Sequence, residues 1–225
     1  MAKKQNSRKE KVNAEAAELT GTENFLDKNK NMFLIIGGGV LAILIGYIGY
    51  QKFVKEPKAA ESQEELWAAF YDFENDSTAN AIDGKDYYMG MSELSEEYSG
   101  TTGGDIANYA MGVMKMKDGE FQEALDYLEA CSFDDVMVGN LCLGLQGDCL
   151  VELEDLDGAA KVFEKAANRE INEFTTPMFL KKAGLVREEL GDKTAANKHY
   201  NRIKEEYSTT DFGTDIDKYI GRTNS

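Results

Sequence analysis

From Met32 to Tyr50 the chain reads MFLIIGGGVLAILIGYIGY, 19 residues without a charge. At about 1.5 Å of rise per residue, a helix of that length approaches the ~30 Å hydrocarbon layer of a bilayer. Lys28 and Lys30 precede the stretch and Lys52 and Lys55 follow it, while Tyr47, Tyr50 and Phe53 gather at its C-terminal end, where interfacial aromatics sit. The pattern predicts a transmembrane helix over 32–54. The leader is longer than that of a cleavable signal peptide and no small-residue cleavage site follows, so an uncleaved anchor is expected. With no Cys near the N-terminus, lipid attachment there is excluded.

The remaining 170 or so residues suit one compact domain. Across the chain 25 Lys and Arg face 41 Asp and Glu, a net charge of −16, which excludes a general affinity for nucleic-acid phosphates. An apolar share of 42% excludes a wholly disordered acidic tail. Three Cys, an odd number, exclude a disulfide-stapled miniprotein. Lys3, Lys4, Arg8, Lys9 and Lys11 make the leader basic, whereas from Glu56 onward 36 acidic residues outnumber 16 basic ones. Positive residues stay inside, so a cytoplasmic leader over 1–31 is expected, with the acidic domain over 55–225 outside the cytoplasm. In a bacterium that means an inner-membrane protein with a periplasmic domain.

Beyond residue 56 Ala, Leu, Glu and Lys dominate and no sustained alternation marks a strand, so the domain reads as all-α. Thr176 before Pro177 predicts a helix start. Three windows align on the same offsets: Gly112, Gly119, Ala124 and Leu128; Gly147, Glu154, Ala159 and Phe163; Gly184, Gly191, Ala196 and Tyr200. Their starts lie 35 and 37 residues apart, the length of a tetratricopeptide (TPR) helix-turn-helix repeat. Small residues in helix A and early in helix B let the two helices approach, the bulky residue fills the gap to the next repeat, and Gly119 and Gly191 make the turn. The expected units are a degenerate first repeat over 61–98, repeats near 105–136, 140–171 and 177–208, and a capping helix over 214–221. The fold class is therefore a single transmembrane helix followed by an all-α TPR solenoid.

A basic leader, a span ending in GYIGYQKFVKEP, a helical domain containing NEFTTPMFLKKAG, and a finish of RIKEEY and DIDKYIGR resemble membrane-anchored TPR proteins of Bacteroidetes-type bacteria. These are similar to the YfgM family, ancillary subunits of the SecYEG translocon. The resemblance implies an N-terminal anchor, a periplasmic TPR domain, and work beside a PpiD-like membrane-anchored chaperone on newly exported polypeptides. Asn108 and Lys115 stand where such repeats usually carry Trp and Tyr, and Val136, Ile171 and Ser208 where Pro usually follows helix B. No residue is carried over from the family as a translocon contact.

No catalytic constellation, cofactor motif or metal-ligand spacing is found. His199, the sole histidine, neighbours the core position Tyr200 and is expected on the solvated outside of helix B. Gly37, Gly38 and Gly39 follow no strand and precede no P-loop Lys, which excludes a phosphate loop. Instead Gly38, Ala42 and Gly46 recur every four residues, a small-residue face on which another transmembrane helix can pack. Cys142 and Cys149 lie too far apart along one helix for a disulfide, and Cys131 is placed in the core of a helix B, so buried thiols are expected. Asp134 and Asp135 belong to no 12-residue calcium loop. The Asn75-Asp76-Ser77 triplet matches a glycosylation acceptor that a bacterial protein leaves unused.

What remains is a binding surface. The inner wall of a TPR stack is lined by A helices, and the register places Tyr109, Val113 and Met116, then Asp148 and Val151, then Met178, Lys181 and Leu185 there. Met and aromatic side chains on such a wall accommodate varied polypeptide segments. The expected function is a non-enzymatic chaperone or adaptor at the translocon, with an envelope scaffold for cell division or cell-wall work as the alternative.

Overall fold

The computed structural model describes residues 28–224. The basic leader, except for its last four residues, lies outside them. The chain divides into two units, one through Glu56 and one from Pro57.

The described part of the first unit is helical. Helix α1 (28–50) runs into a π-helical turn at Gln51–Lys55. It is long and apolar enough to cross a membrane. Leu34, Ile35, Ile43, Ile45 and Ile48 are exposed on all its sides, a distribution suited to a lipid solvent rather than to water. A helix also satisfies its backbone polar groups internally, as the hydrocarbon layer demands.

The second unit is a series of helices, α2 (Glu56–Glu74), α3 (Thr78–Asp83), α4 (Met91–Glu97), α5 (Thr102–Lys117), α6 (Phe121–Glu129), α7 (Val136–Glu152), α8 (Leu156–Arg169), α9 (Thr175–Glu189), α10 (Lys193–Glu206) and α11 (Ile216–Thr223), in which each from α3 onward packs on the next. The periodicity over 61–98 predicts a helical pair, but here the structure departs from it. After α2 the chain forms short α3, a hairpin of β1 (Gly84–Lys85) and β2 (Tyr88–Met89), and short α4. Gly84, at φ 75°, breaks the helix, and Asp72 of α2 holds the hairpin by accepting from the Tyr88 hydroxyl and from Lys85 Nζ. This cap packs Leu66, Ala69, Ala81, Met91 and Leu94 against Ala107, Ala110, Met111 and Met114 of α5.

Three helix pairs follow, α5/α6, α7/α8 and α9/α10, and their turns share one backbone. In each, the residue at positive φ donates to a carbonyl three back and the next N–H reaches five back: Gly119 to Met116 and Glu120 to Lys115, Glu154 to Val151 and Asp155 to Leu150, Gly191 to Glu188 and Asp192 to Arg187. This double bond closes the open carbonyls of the A helix. Asp155 and Asp192 then cap α8 and α10 by accepting from the Gly158 and Ala195 N–H groups at 2.9 and 3.0 Å.

The small and bulky residues of the repeat meet inside each pair. A Cβ on Gly112, Gly147 or Gly184 would come closer than 3.0 Å to Leu128, Phe163 or Tyr200 respectively. The bulky side chain therefore fills its own pair's gap as well as the next. Phe163 also stacks on Phe179 of α9, centroids 6.4 Å apart, and Phe179 lies over Gly144 of α7.

The start of α9 falls two residues earlier than the Thr-Pro signal predicts, with Phe174 rather than Thr176 before the first helical residue. Asn172 Oδ1 accepts from the Phe174 and Thr175 N–H groups, so an Asx cap supplies the start, and the Thr176 hydroxyl instead accepts from Asn172 N at 3.0 Å. Pro177 still lies in the first turn, where a missing N–H costs no helical bond.

Candidate functional site

The eight side chains expected on the inner wall lie on α5, α7 and α9, and the structure gives each different surroundings. Tyr109 and Met116 pack against the cluster around Leu128 and Cys142, with the Tyr109 ring edge-on to Phe133 at 6.2 Å. Burial raises the Tyr109 phenol above its ordinary pKa. Val113 is half-buried. Asp148 receives both hydrogen bonds of Lys182 at 2.7 Å, tying α7 to α9. Val151 and Met178 pack against the C-terminal core. Lys181 pairs with Asp215 at 3.2 Å and lies over the Tyr219 ring at 4.8 Å. Leu185 is exposed. Two of the eight, Asp148 and Lys181, are thus joined to the stack through partners 34 residues away, a spacing no local pattern reveals.

A second apolar surface was not read from the sequence. Val136, Met137 and Val138 in the first turn of α7, and Ile171 and Phe174 in the loop before α9, are exposed, the last two at 65% and 54%. Arg169 at the end of α8 joins the two segments by donating to the carbonyls of Phe133 and Asp135 and to Asn140 Oδ1. Asn140, fully buried, donates onward to Glu170 O and Thr175 Oγ1 at 3.0 and 2.9 Å. The rim is therefore held by a satisfied polar network rather than by its own apolar side chains. Its signal was the apolar Val-Met-Val directly after Asp135, which caps α7 by accepting from the Met137 and Val138 N–H groups.

Two other sequence readings are corrected. His199 is not solvated: it is largely buried in α10, and its Nε2 lies 3.1 Å from Glu164 Oε1 of α8, an oxygen that Arg187 also reaches. Burial lowers its pKa, against the opposing pull of Glu164. It lines a cleft of about 590 Å³ together with Asn168, Lys198 and Arg202. Cys131 is not in a helix B core either: α6 ends at Glu129, and Cys131 follows half-buried in the connection. Among the described residues no group of three or more His, Cys, Asp or Glu is placed to hold a metal ion.

In α1, Gly38 and Gly46 have open space where a Cβ would stand, and Ala42 between them is exposed.

Residues 182–210, which run from α9 through α10, match the tetratricopeptide repeat family. No characterised protein and no solved structure gives a significant match. The matched segment holds the Gly184 and Tyr200 contact, the Gly191 turn and the Asp192 cap, and α5/α6 and α7/α8 repeat that contact and that turn. The chain thus carries a TPR-type helix stack, an architecture that serves protein–protein interaction.

Proposed function

We propose that this protein is a membrane-anchored ancillary subunit of the Sec translocon, with its helix stack in the periplasm of a bacterium, holding exported polypeptides or a partner chaperone. The observation that carries the reading is a TPR-type stack that keeps apolar side chains exposed at Val136, Met137, Val138, Ile171 and Phe174, in a chain with a helix able to cross a membrane. Exposed apolar patches on a folded domain mark contact sites for other polypeptides. Tethering such a patch near an exit pore raises its effective concentration over emerging chains. The wall residues Tyr109, Val113, Met116, Asp148, Val151, Met178, Lys181 and Leu185 contribute the second contact surface. Gly38, Ala42 and Gly46 form the face of α1 on which a translocon or partner helix packs. SecYEG and a PpiD-like chaperone are the partners that the family resemblance supplies.

The test is photocrosslinking in living cells from full-length protein carrying a photoreactive residue at Met137, Phe174, Val113 or Leu185. Adducts with translocon subunits, a membrane-anchored chaperone and exported chains are expected. Adducts confined to division or cell-wall proteins move the protein to the envelope-scaffold reading. Protease added to spheroplasts should digest the stack; full protection of it there places the stack in the cytoplasm and removes the export role.

A further inference from the structure

Cys131 and Cys142 are eleven positions apart in sequence but meet at one place in the fold. Cys131 lies two residues past the end of α6, and Cys142 lies in the second turn of α7. The Cys131 sulfur is 3.6 Å from Tyr127 O, and the Cys142 sulfur is 3.5 Å from the adjacent carbonyl, Leu128 O. Both side chains line one open cleft of about 240 Å³, with Gln146, Lys165 and Arg169 around them. We propose that Cys131 and Cys142 are a redox-modification site, joined as a disulfide by exchange with a low-molecular-weight disulfide and thereby fixing the joint between α6 and α7.

The surroundings favour exchange at this pair over the third thiol. The interaction between the neighbouring sulfurs pushes the Cys131 thiol up and that of Cys142 down. Cys142 and Cys149 are both buried, but Cys149 has its pKa pushed up to about 11 and does not line the cleft. The Cys142 thiolate attacks one sulfur of RS–SR, whose S–S bond breaks as RS⁻ leaves and takes a proton. Cys131 then loses its proton and attacks the Cys142 sulfur, expelling the second RS⁻, which is also protonated. In total two protein thiols lose two electrons and two protons, and the oxidant becomes two RSH. The cleft's charged lining, Lys165 and Arg169 against the single carboxylate of Asp134, leaves a net positive charge that suits an anionic disulfide such as glutathione disulfide.

Full-length protein in detergent is incubated with glutathione disulfide, its remaining thiols are alkylated, and the chain is cleaved before aspartates. Asp135 and Asp148 then place Cys131, Cys142 and Cys149 on separate peptides. The expected product is a Cys131–Cys142 linked pair, roughly tenfold above any pair containing Cys149, with two hydrogens lost and with reversal by dithiothreitol. Its formation should raise the thermal midpoint by about 5 °C. Three outcomes overturn the proposal: unchanged thiols, glutathione adducts without an internal link, or linkage to Cys149 in equal yield.

Discussion

The α7/α8 and α9/α10 pairs have the same backbone and different chemistry at two matched positions. Their turns make the same pair of hydrogen bonds, yet the residue at positive φ is Gly191 in one and Glu154, at φ 62°, in the other. Their ring-on-glycine contacts also match, but Tyr200 carries a hydroxyl that donates to Glu188 at 3.1 Å, where Phe163 has none. The difference separates what the repeat geometry demands from what it tolerates. No side chain can replace the hydrogen at Gly147 or Gly184, because the facing ring occupies that volume. A Cβ at the turn meets open space, and its cost is only that of a strained φ.

The largest effect should come from breaking the shared contact. Gly147→Val and Gly184→Val each drive a branched side chain into a buried ring, and each should cost roughly 3 kcal/mol of stability. Urea unfolding of the full chain in detergent measures this. A loss below about 1 kcal/mol at both sites would show that the rings move aside and that helix approach does not depend on glycine.

Exchanging the turn residues comes next. Gly191→Ala should destabilise by about 1–2 kcal/mol, because Ala gains strain at φ 78° with no contact to offset it. Glu154→Gly should stabilise by a smaller ~0.5–1 kcal/mol, since relief of strain is partly cancelled by the freer unfolded chain. Equal and opposite shifts would sink that asymmetry. Tyr200→Phe makes the third pair resemble the second and should cost about 1 kcal/mol, the net worth of one hydrogen bond. Burial, aided by the hydrogen bond to Glu188, holds the Tyr200 phenol above its ordinary pKa, so in alkaline titration the Tyr200→Phe variant should lack one late-ionising tyrosine of the wild type.

The same comparison shows how far the sequence could be read. Gly112, Gly147 and Gly184 recur with Leu128, Phe163 and Tyr200 at a fixed offset because packing inside a pair is a local rule, so the stack was legible. The cap over 61–98 was not: its apolar residues keep helical spacing, while the deciding features are Gly84 and the reach of Asp72 to Lys85 and Tyr88. His199 was misplaced for a related reason. Its neighbour Tyr200 fixes which face of α10 is innermost, but Glu164 of α8 determines that the adjacent face is covered too. Around the wall residues, Lys182 and Asp215 hold partners 34 positions away, so periodicity could order the helix faces without revealing their ion pairs.

The smallest effect concerns the first pair, where the B helix starts differently from the other two. Asp155 and Asp192 cap α8 and α10 through their side chains, whereas Glu120 makes no cap bond to α6 and turns its carboxylate to Lys115, which Glu123 also holds. The extra methylene of Glu places its oxygen past the N–H groups that Asp reaches at the same turn. Glu120→Asp should therefore supply the missing cap and lose only an exposed ion pair, for a net gain of about 0.5 kcal/mol. Added salt separates the two contributions: the gain should grow as screening weakens the Lys115 pairs of the wild type. A net loss at every salt concentration would mean that the Lys115 pairs, rather than a cap, set the start of α6.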